Sequence, residues 1–517
     1  MFKNEVYTDF SIQKNRDAFQ AVLDDLEDQV KAGTLYAAPI IGGKESGGKE
    51  TVDSIDPGCP EVVLGKVRCA DSSDAEAALA SLNEGLTSWR ATPFEKRAQV
   101  LKTAAKLMRE RKHEISALMV REAGKPWAEA DGDTAEGIDF CEFYADEMMR
   151  LGPRQEFGDE EGEKNYYFYQ PRGVGVVISP WNFPFAIAAG MTVAGLVTGN
   201  VVVLKPSMQT CLVGHKLAQI LLEAGVPGDA FAYLPGRGSV IGNYLVESPK
   251  VDYVCFTGSR EVGLGIINKA SVVHTGQRNV KKVIAEMGGK NGSIVDCNAD
   301  LEEAVKGVMV SAFGYAGQKC SACSRAIIVD DLYDEFMMRL VAATAKLTAG
   351  QTKDGDAFLP PVIDNEAYQR ILSQVEKAEQ DHTLVFKGEL SESSGYFVPA
   401  MIFGDVDRTS WLLQEELFAP VLACVRAKDF DDALAIANDT EYALTGGVFS
   451  TNPEHIKKAC QEFRVGNLYI NRKQTGAMVY RQPFGGFKMS GVGSKAGGPD
   501  YLIQFMEPRT VTENTAC

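Results

Sequence analysis

An unbroken run of uncharged residues at 173–204 restricts the fold of this chain more than any other feature of its sequence. Its length alone would suit a helix that crosses a membrane. However, Pro180, Pro184 and a Thr-Gly-Asn turn at 198–200 divide the run into short segments. This division favours a buried strand, a helix and a second buried strand. Such a unit predicts a parallel sheet with helices on both faces and no membrane span.

Alternating strand-like and helix-like segments extend this pattern along the chain. The first series of strand candidates is VGVVIS, NVVVLK, AFAYLP, DYVCFT and KKVIAEM, and the second is SIVD, RAIIVD, VLACVRA, GGVFS and NLYIN. Two series in a chain of 517 residues predict two α/β domains, because a single core seldom grows this large. Residues 1–150 are predicted to be mostly helical. The YYFYQ stretch and the tail LIQFMEPRTVTEN are predicted to be exposed strands.

Composition disfavours several classes of function. The net charge of −17 argues against a nucleic-acid partner, since nucleic acids are bound by basic surfaces. The N-terminus lacks an apolar signal region and the chain has eleven cysteines, so we expect free thiols in the cytoplasm. None of the five histidines stands at metal-ligand spacing from a cysteine or another histidine, so no metal site is expected.

Ligands of parallel sheets bind beyond the carboxyl ends of the strands, so the residues that follow each strand candidate are of interest. FTGS precedes a predicted helix whose N-terminal N–H groups suit a pyrophosphate, while Lys205 and Glu286 each end a buried strand. Each feature by itself is also typical of an ordinary turn or strand end. GRGSVIG departs from the Gly-x-Gly-x-x-Gly dinucleotide pattern, because Gly242 comes one residue late.

The stretch GYAGQKCSACSR contains two cysteines three positions apart, Cys320 and Cys323. This spacing occurs in zinc half-sites and in thiol–disulfide pairs, and it also arises when a catalytic cysteine has a bystander. The sequence has no second Cys-x-x-Cys pair, which leaves a zinc site two ligands short. A redox pair normally opens a helix after a strand, whereas this pair follows a predicted helix and precedes a predicted strand. The residues by themselves therefore disfavour a zinc site and a redox pair, and they leave the role of each cysteine open.

Seven motifs stand in the order and approximate spacing of one enzyme family: SPWNFP, LKPS, FTGS, EMGGK, FGYAGQKCSACSR, EELFAP and PFGGFKMSG. Over essentially its whole length the chain resembles the NAD(P)-dependent aldehyde dehydrogenase superfamily. The resemblance implies an α/β fold with a variant Rossmann cofactor domain, an α/β catalytic domain and a small β oligomerisation element, and hence a homo-oligomer. The implied domain ranges are 1–156 and 172–287 for NAD(P) binding, 288–475 for catalysis, and 157–171 and 495–517 for oligomerisation.

The resemblance also implies roles for individual residues. Cys320 would be the nucleophile, Glu286 the general base and Asn182 a donor to the oxyanion. The implied NAD contacts come from Ser179, Pro180, Trp181, Lys205, Ser207, Gly238, Thr257, Gly258, Ser259, Gly288, Glu416 and Phe418. Many NAD-preferring members carry a glutamate directly after Lys-Pro-Ser, where this chain has Met208. Without that carboxylate a 2′-phosphate is not repelled, so NAD is expected and NADP use is left open.

A narrower resemblance concerns the substrate. The N-terminal YTDFSIQKNRDAF, the serine after the nucleophile and NRKQTGAMVYRQPFGG are similar to segments of the 1-pyrroline-5-carboxylate dehydrogenases. That subfamily oxidises L-glutamate γ-semialdehyde to glutamate in proline and arginine catabolism. The resemblance implies that the substrate carboxylate and aliphatic chain would be held by Phe183, Lys319, Ser321, Gly476, Ala477 and Phe484. Taken singly, these residues are also typical of a loop or of core packing.

The sequence leaves open which aldehyde is the substrate and whether the chain is an enzyme at all. Another aliphatic aldehyde or semialdehyde could be the substrate, whereas CoA-acylating chemistry is disfavoured because Glu286 is present to activate water. Outside the enzyme class, the chain could be a thiol–disulfide protein or a catalytically silent homologue. A silent homologue should have lost Cys320, Glu286 or Asn182, and the sequence retains all three.

Overall fold

The computed structural model describes residues 2–158, 160–390 and 394–516. The predicted domain ranges also include Met1, Asp159, residues 391–393 and Cys517, which lie outside the described residues. The first part of the chain forms α1 (Gln13–Ala32), β1 (Tyr36–Ala37), β2 (Ile40–Ile41), β3 (Lys44–Glu45), β4 (Glu50–Asp56), β5 (Cys59–Cys69), α2 (Ser72–Ala91), α3 (Phe94–Glu110), α4 (Lys112–Glu122), α5 (Trp127–Leu151), β6 (Gln155–Glu156) and β7 (Glu163–Pro171).

The middle of the chain alternates strands and helices. It forms β8 (Val174–Ile178), α6 (Ala186–Val197), β9 (Val201–Lys205), α7 (Cys211–Glu223), β10 (Phe231–Tyr233), α8 (Asn243–Glu247), β11 (Tyr253–Thr257), α9 (Arg260–Ala270), β12 (Lys282–Glu286), β13 (Asn291–Val295), α10 (Leu301–Phe313), β14 (Cys323–Val329) and α11 (Asp330–Thr344).

The last part contains shorter elements. They are α12 (Asn365–Asp381), β15 (Thr383–Lys387), β16 (Met401–Gly404), β17 (Val421–Ala427), α13 (Phe430–Asn438), β18 (Tyr442–Ala443), β19 (Thr445–Phe449), α14 (Pro453–Glu462), β20 (Asn467–Ile470), β21 (Phe487–Lys488), β22 (Gly491–Val492) and β23 (Met506–Asn514).

The first large sheet has the strand order β22-β12-β11-β8-β9-β10-β2-β3. Its central strands, from β12 to β10, run parallel, which confirms the predicted strand–helix–strand unit and its neighbours. The predicted turn at 198–200 closes that unit: Gly199 has φ +91°, and the Asn200 side chain accepts from the Gly173 N–H and donates to the carbonyl of Phe505. Asn200 therefore ties the start of β8 to the C-terminal segment.

The second large sheet has the order β15-β16-β17-β14-β13-β19-β20. It is parallel except for the edge strand β15, and it contains every strand candidate of the second predicted series. Strands β13, β14 and β17 are almost completely buried, as expected of a parallel sheet with helices on both faces. The two predicted α/β layers are thus both present.

A small third sheet joins distant parts of the chain. Strands β7 and β23 pair antiparallel along their full length, and β6 adds a short third strand. Both were predicted as exposed strands, and neither is buried along its length. The hairpin of β4 and β5 was not predicted within the mostly helical first 150 residues. Within the described residues, no helix combines the length and apolar character needed to span a membrane.

Helix α5 carries a row of carboxylates into the protein. Each has a different neighbour: Glu129 binds Lys319, Asp131 binds Thr8 and Lys112, Asp133 binds Lys125, Glu136 lines a cavity, and Asp139 binds Asn4 and Glu5. Buried carboxylates are retained only where they are paired or hydrogen-bonded. Polar contacts of these carboxylates therefore hold several other segments of the chain against α5.

The most deeply buried of these ion pairs joins Lys125 and Asp133. Both side chains are 0% exposed, and the Lys125 Nζ lies 2.8 Å from Asp133 Oδ2. The same ammonium donates to the carbonyl of Asn182 (2.8 Å) and lies 3.9 Å from the centre of the Phe183 ring. Asp133 Oδ1 accepts from the Ala186 N–H (2.6 Å). The pair therefore fixes the turn between β8 and α6 against α5.

We expect Lys125→Met to lower the free energy of unfolding by about 3–5 kcal/mol, because Asp133 would remain buried without its cation. Adding Asp133→Asn removes the unpaired charge, so the double variant should regain part of that loss. Chemical denaturation of the wild type and both variants measures the effect. A single variant as stable as the wild type, or a double variant less stable than the single one, would contradict this account.

Candidate active site

Four neighbouring strands of the first sheet bring their carboxyl ends to one edge. In the parallel pairing, Thr257 lies beside Glu286 and Ile178 lies beside Lys205. The Ser179 N–H donates to the Lys205 carbonyl (3.1 Å), and the Gly258 N–H donates to the Glu286 carbonyl (3.1 Å). The strand-end motifs that the sequence singled out thus meet at one edge of the sheet, where parallel sheets bind their ligands.

The loop before Cys320 is a tight and strained turn. Tyr315 and Ala316 adopt positive φ angles of 56° and 52°, which are uncommon for residues with a side chain. Gly317 has φ +70°, and a Cβ there would lie 2.2 Å from the Ala419 carbonyl oxygen, so the position requires glycine. Such strain persists where the surrounding structure enforces it, and it concentrates at functional sites.

Cys320 and Cys323 occupy different environments despite their spacing. Cys320 lies in the turn and lines a cavity, and its carbonyl accepts from the Asn291 side chain (2.7 Å). Cys323 is the first residue of β14, is 1% exposed, and directs its thiol to the Arg325 carbonyl (3.4 Å). The structure thus places one thiol at the cavity and the other in the core.

The Cys320 thiol faces Glu286 across the cavity. Its Sγ lies 3.9 Å from Glu286 Oε1. Burial raises the pKa of Glu286 to about 8, although the charge of Lys495 and the thiol of Cys320 oppose the rise. Burial, together with the nearby carboxylates of Glu286 and Glu416, also raises the pKa of Cys320 well above its usual value. Near neutral pH the free protein therefore keeps a proton on both groups, so Glu286 can accept the thiol proton only after it has lost its own.

Lys495 supplies the positive charge that acts on Glu286. Its ammonium is held by the carbonyls of Gly466 (2.7 Å) and Gly485 (2.6 Å) and by the Asn467 side chain (3.1 Å). Backbone acceptors leave the charge of the ammonium uncompensated, so its field reaches the carboxylate. This lysine was not among the residues that the sequence pointed to.

Asn182 stands at the end of the turn that Lys125 fixes. One of its amide N–H groups donates to the Gln318 carbonyl (3.1 Å), and its Oδ1 accepts from the Phe183 N–H (3.1 Å). Gln318 directly precedes Lys319 and Cys320, so this contact connects the turn after β8 to the loop that carries Cys320. The second amide N–H of Asn182 is left to serve another acceptor.

The cavity brings together five of the six residues predicted to bind the substrate. They are Phe183, Ser321, Gly476, Ala477 and Phe484, and they line the same cavity as Cys320 and Glu286. Lys319 is the exception, because it is not part of this lining. Its ammonium binds Glu129 (2.6 Å). Remaining wall residues are largely apolar and include Phe140, Ile187, Met191, Met478 and Val479.

A second group of predicted residues surrounds the sheet edge on the side of Lys205. Lys205 is 5% exposed, and its ammonium donates to the Pro206 carbonyl (3.0 Å) without a carboxylate partner among the described residues. A buried cation of this kind lacks a partner: a phosphate oxygen would supply a counter-charge, and a ribose hydroxyl would accept its hydrogen bond. Ser259 caps α9, accepting from the Val262 N–H (3.3 Å), so the helix N-terminus points to the same side.

Glu416 and Phe418 close this region from the second domain. Glu416 Oε1 accepts from the Gly289 N–H (2.9 Å), and a Cβ on Gly288 would lie 1.9 Å from Glu416 Oε2. The Phe418 ring meets the Trp181 ring edge to face, with centres 5.5 Å apart. These groups fit a flat ring and a ribose, so the residues present fit a dinucleotide.

Three of the predicted cofactor residues have no contact that ties them to this group. Ser207 Oγ donates to Gln209 Oε1 (2.5 Å), Gly238 begins an exposed turn, and Pro180 lies half-buried in the turn after β8. Their predicted contacts to the cofactor stay predictions.

Several polar residues of the site were missed at the sequence level. Glu136 lines the cavity, and burial together with Asp133 raises its pKa to about 8. Asn291 also donates to the Ala322 carbonyl (2.9 Å), and Gln474 accepts from Ser293 Oγ (2.6 Å). Asn291 directly follows the EMGGK motif, which was a usable signal. Glu136 lies within an ordinary helical segment, so no sequence pattern pointed to it.

Comparisons with known proteins agree with this geometry. The aldehyde dehydrogenase family model matches residues 44–511. A 1-pyrroline-5-carboxylate dehydrogenase of Geobacillus sp. (strain WCH70) is 51% identical over 512 residues, which cover 99% of each chain. A 1-pyrroline-5-carboxylate dehydrogenase from Thermus, solved with bound NAD, is 42% identical with a TM-score of 0.97 over 99% of both chains.

A larger protein contains the same fold as one part. Proline utilization A from Bdellovibrio bacteriovorus, inactivated by N-propargylglycine, is 46% identical with a TM-score of 0.98, and the match covers all of this chain but 53% of that one. The family model matches residues 44–511 and the Geobacillus relative is 51% identical, so the similarity lies in the sequence as well as in the fold. This chain therefore belongs to the aldehyde dehydrogenase family and is an oxidoreductase.

Proposed function

We propose that the protein oxidises L-glutamate γ-semialdehyde, the open form of 1-pyrroline-5-carboxylate, to L-glutamate with NAD. One observation carries the proposal: a single cavity joins Cys320 and Glu286 to Ser321, Gly476 and Ala477. The same cavity thus offers a nucleophile with its base at one place and anion-binding groups at another. Relatives of nearly the same length that are named 1-pyrroline-5-carboxylate dehydrogenases support this assignment.

The groups of the cavity can perform each proton transfer of the reaction. The ionised form of Glu286, 3.9 Å from the thiol, takes the proton as Cys320 Sγ attacks the aldehyde carbon. The free N–H of Asn182 and the backbone N–H of Cys320 stabilise the oxyanion, and one such donor is typically worth about 3–4 kcal/mol. When bound, NAD supplies the acceptor for the hydride. After Glu286 has released the thiol proton to solvent, its carboxylate deprotonates the water that hydrolyses the thioester on Cys320.

Substrate selection follows from the polar groups beyond the nucleophile. Gly476 adopts φ +76°, so the backbone at 476–477 turns as it does in loops that gather N–H groups around an anion. The Ser321 hydroxyl adds a further donor beside Cys320. Glu136 provides a carboxylate for the substrate ammonium, since a bound cation would favour its ionised form. Phe183 and Phe484 enclose the aliphatic chain between these ends.

The cofactor preference depends on the surroundings of Met208. Met208 and Arg237 line one cavity together with the carboxylates of Glu122 and Asp364. Arg237 is already paired with Glu50 (2.8 Å). The nearby acids therefore disfavour a 2′-phosphate even though Met208 itself carries no charge, and we infer a preference for NAD over NADP.

The predicted domain organisation belongs to the same proposal. Residues 1–156 and 172–287 would bind NAD(P), and 288–475 would carry the nucleophile. Residues 157–171 and 495–517, which include the exposed pairing of β7 and β23, would mediate homo-oligomerisation. The described cysteines are all free, which supports action in the reducing cytoplasm.

We expect Cys320→Ala to abolish NAD-dependent oxidation of L-glutamate γ-semialdehyde, and Cys323→Ala to retain most of it. The first thiol lies at the cavity opposite Glu286, whereas the second lies in the core. Steady-state assays that follow NADH measure both variants. In the wild type, kcat/KM should be higher for the semialdehyde than for propanal, and higher with NAD than with NADP.

Each outcome has a distinct meaning. Equal loss of activity in Cys320→Ala and Cys323→Ala would contradict a single nucleophile. A wild-type enzyme that prefers propanal would contradict the proposed substrate and leave a different aldehyde as the natural one.

The pH profile tests the role of Glu286. Because its pKa is about 8 in the free protein, kcat/KM should rise with pH as the carboxyl loses its proton. Lys495→Met removes a charge that lowers this pKa, so the rising limb should move to higher pH by about one unit. Lys488→Met serves as the control, since that lysine also binds backbone carbonyls. A limb that stays in place or moves to lower pH in Lys495→Met argues against Glu286 as the base.

A further inference from the structure

The N-terminal segment at residues 2–8, which we call the N-terminal strap, is attached to helix α5 through buried carboxylates. The Asn4 amide donates to Asp139 Oδ2 (2.7 Å), and the Glu5 N–H donates to Asp139 Oδ1 (2.7 Å). Thr8 binds Asp131 through its N–H (2.8 Å) and its hydroxyl (2.6 Å). Asp131 and Asp139 are 1% and 3% exposed. The strap is therefore fixed by charge-assisted hydrogen bonds at both ends.

Basic side chains from α3 and α4 secure the middle of the strap. Arg109 Nε donates to Glu5 Oε2 (2.8 Å), and Lys112 Nζ donates to the Val6 carbonyl (2.8 Å). The same Lys112 ammonium lies 2.9 Å from Asp131. A segment held by so many contacts is a built part of the fold rather than a loose terminus.

The strap also contacts the loop at residues 476–480, which forms one wall of the substrate cavity. Asn4 Nδ2 donates to the Val479 carbonyl (3.0 Å). The Phe2 ring packs edge to face against Tyr480, with ring centres 5.9 Å apart, and against Phe143 at 5.4 Å. The contacts to the loop fall within its last two residues, and the residues before them line the cavity.

On its other side the loop is held by the backbone. The Tyr480 N–H donates to the Gly497 carbonyl (2.8 Å), and the Gly497 N–H donates to the Tyr144 hydroxyl (2.8 Å). Gly476 and Tyr480 both have positive φ angles, 76° and 70°. The loop is thus bent at both ends and clamped between the strap and residue 497.

We propose that Asn4 is a positioning residue for substrate binding: through the strap it holds the 476–480 loop in the shape that directs its N–H groups at the substrate carboxylate. The proposal rests on the proposed function, since it concerns the same loop. Asn4 is suited to this task because a single amide group bridges a buried carboxylate of α5 and the carbonyl of the loop.

The energetic reason is preorganisation. Backbone N–H groups bind an anion well only when they already converge on it, because ordering a loop during binding reduces the affinity. Asp139 follows Glu136 by three residues on α5, so the two carboxylates lie on neighbouring positions of one helix face. The bridge at Asn4 therefore sets the distance between the cavity wall that carries Glu136 and the wall that carries Ala477.

The test compares two substrates in two variants. Asn4→Ala removes both hydrogen bonds, and Asn4→Asp keeps the size of the side chain while removing the donor. For L-glutamate γ-semialdehyde we expect KM to rise about tenfold with kcat little changed. Propanal has no carboxylate, so its KM and kcat should stay at the wild-type values. Asn83→Ala is the matched control, because that exposed asparagine donates only to Leu79 in its own helix.

The outcomes separate this proposal from the one on which it rests. Equal losses for both substrates, or no change in either, would overturn the role of Asn4. A wild-type enzyme without preference for the semialdehyde would overturn the proposed function instead, before any variant is considered.

A second measurement needs no substrate. Hydrogen–deuterium exchange of the amides at 476–480 should be faster in Asn4→Ala than in the wild type, and unchanged in Asn83→Ala. Unchanged exchange in Asn4→Ala would overturn the proposal even if KM rises.

Discussion

The buried ion pair of Lys125 and Asp133 is the interaction on which the site depends. A pair with both side chains fully buried gives little net stability, because desolvation offsets most of the attraction. Its value here is geometric. The Lys125 ammonium satisfies the Asn182 carbonyl, and Asp133 satisfies the N–H at the start of α6. The turn after β8 therefore cannot move without breaking a hydrogen bond to each member of the buried pair, and Asn182 stays beside the loop before Cys320.

Burial decides which acids of the candidate active site hold a proton. Burial raises the pKa of Glu136 and Glu286 to about 8 and that of Glu416 to about 7. Several of these groups therefore hold a proton near neutral pH in the free protein. Glu286 is the one that lies 3.9 Å from the thiol of Cys320, and the charge of Lys495 favours its ionised form. The carboxyl that faces the Cys320 thiol is thus a group whose ionisation the protein itself assists.

Sequence patterns predicted the parallel sheets well, because short apolar segments such as β8 and β9, set between helix-like segments, are typical of strands covered on both faces. They missed the hairpin of β4 and β5, whose strands carry charges and are exposed along much of their length. At the site, strand-end residues were predictable because parallel strands end at one edge. The partners that hold them were not: Lys319 meets Glu129 across 190 positions, and Ser293 meets Gln474 across 181. Such pairings depend on tertiary packing, which leaves no local signal.

The two cysteines of the CSAC stretch show how backbone context assigns chemistry. Cys320 follows a turn with positive φ angles that projects it into a cavity opposite a carboxylate. Three residues later the chain has entered β14, where alternation and burial direct Cys323 into the core. Both thiols have raised pKa values through burial, so burial does not distinguish them. The difference between the two is that Cys320 faces the carboxyl of Glu286 across a cavity, and the proposed reactivity of Cys320 depends on that neighbour rather than on the spacing of the pair.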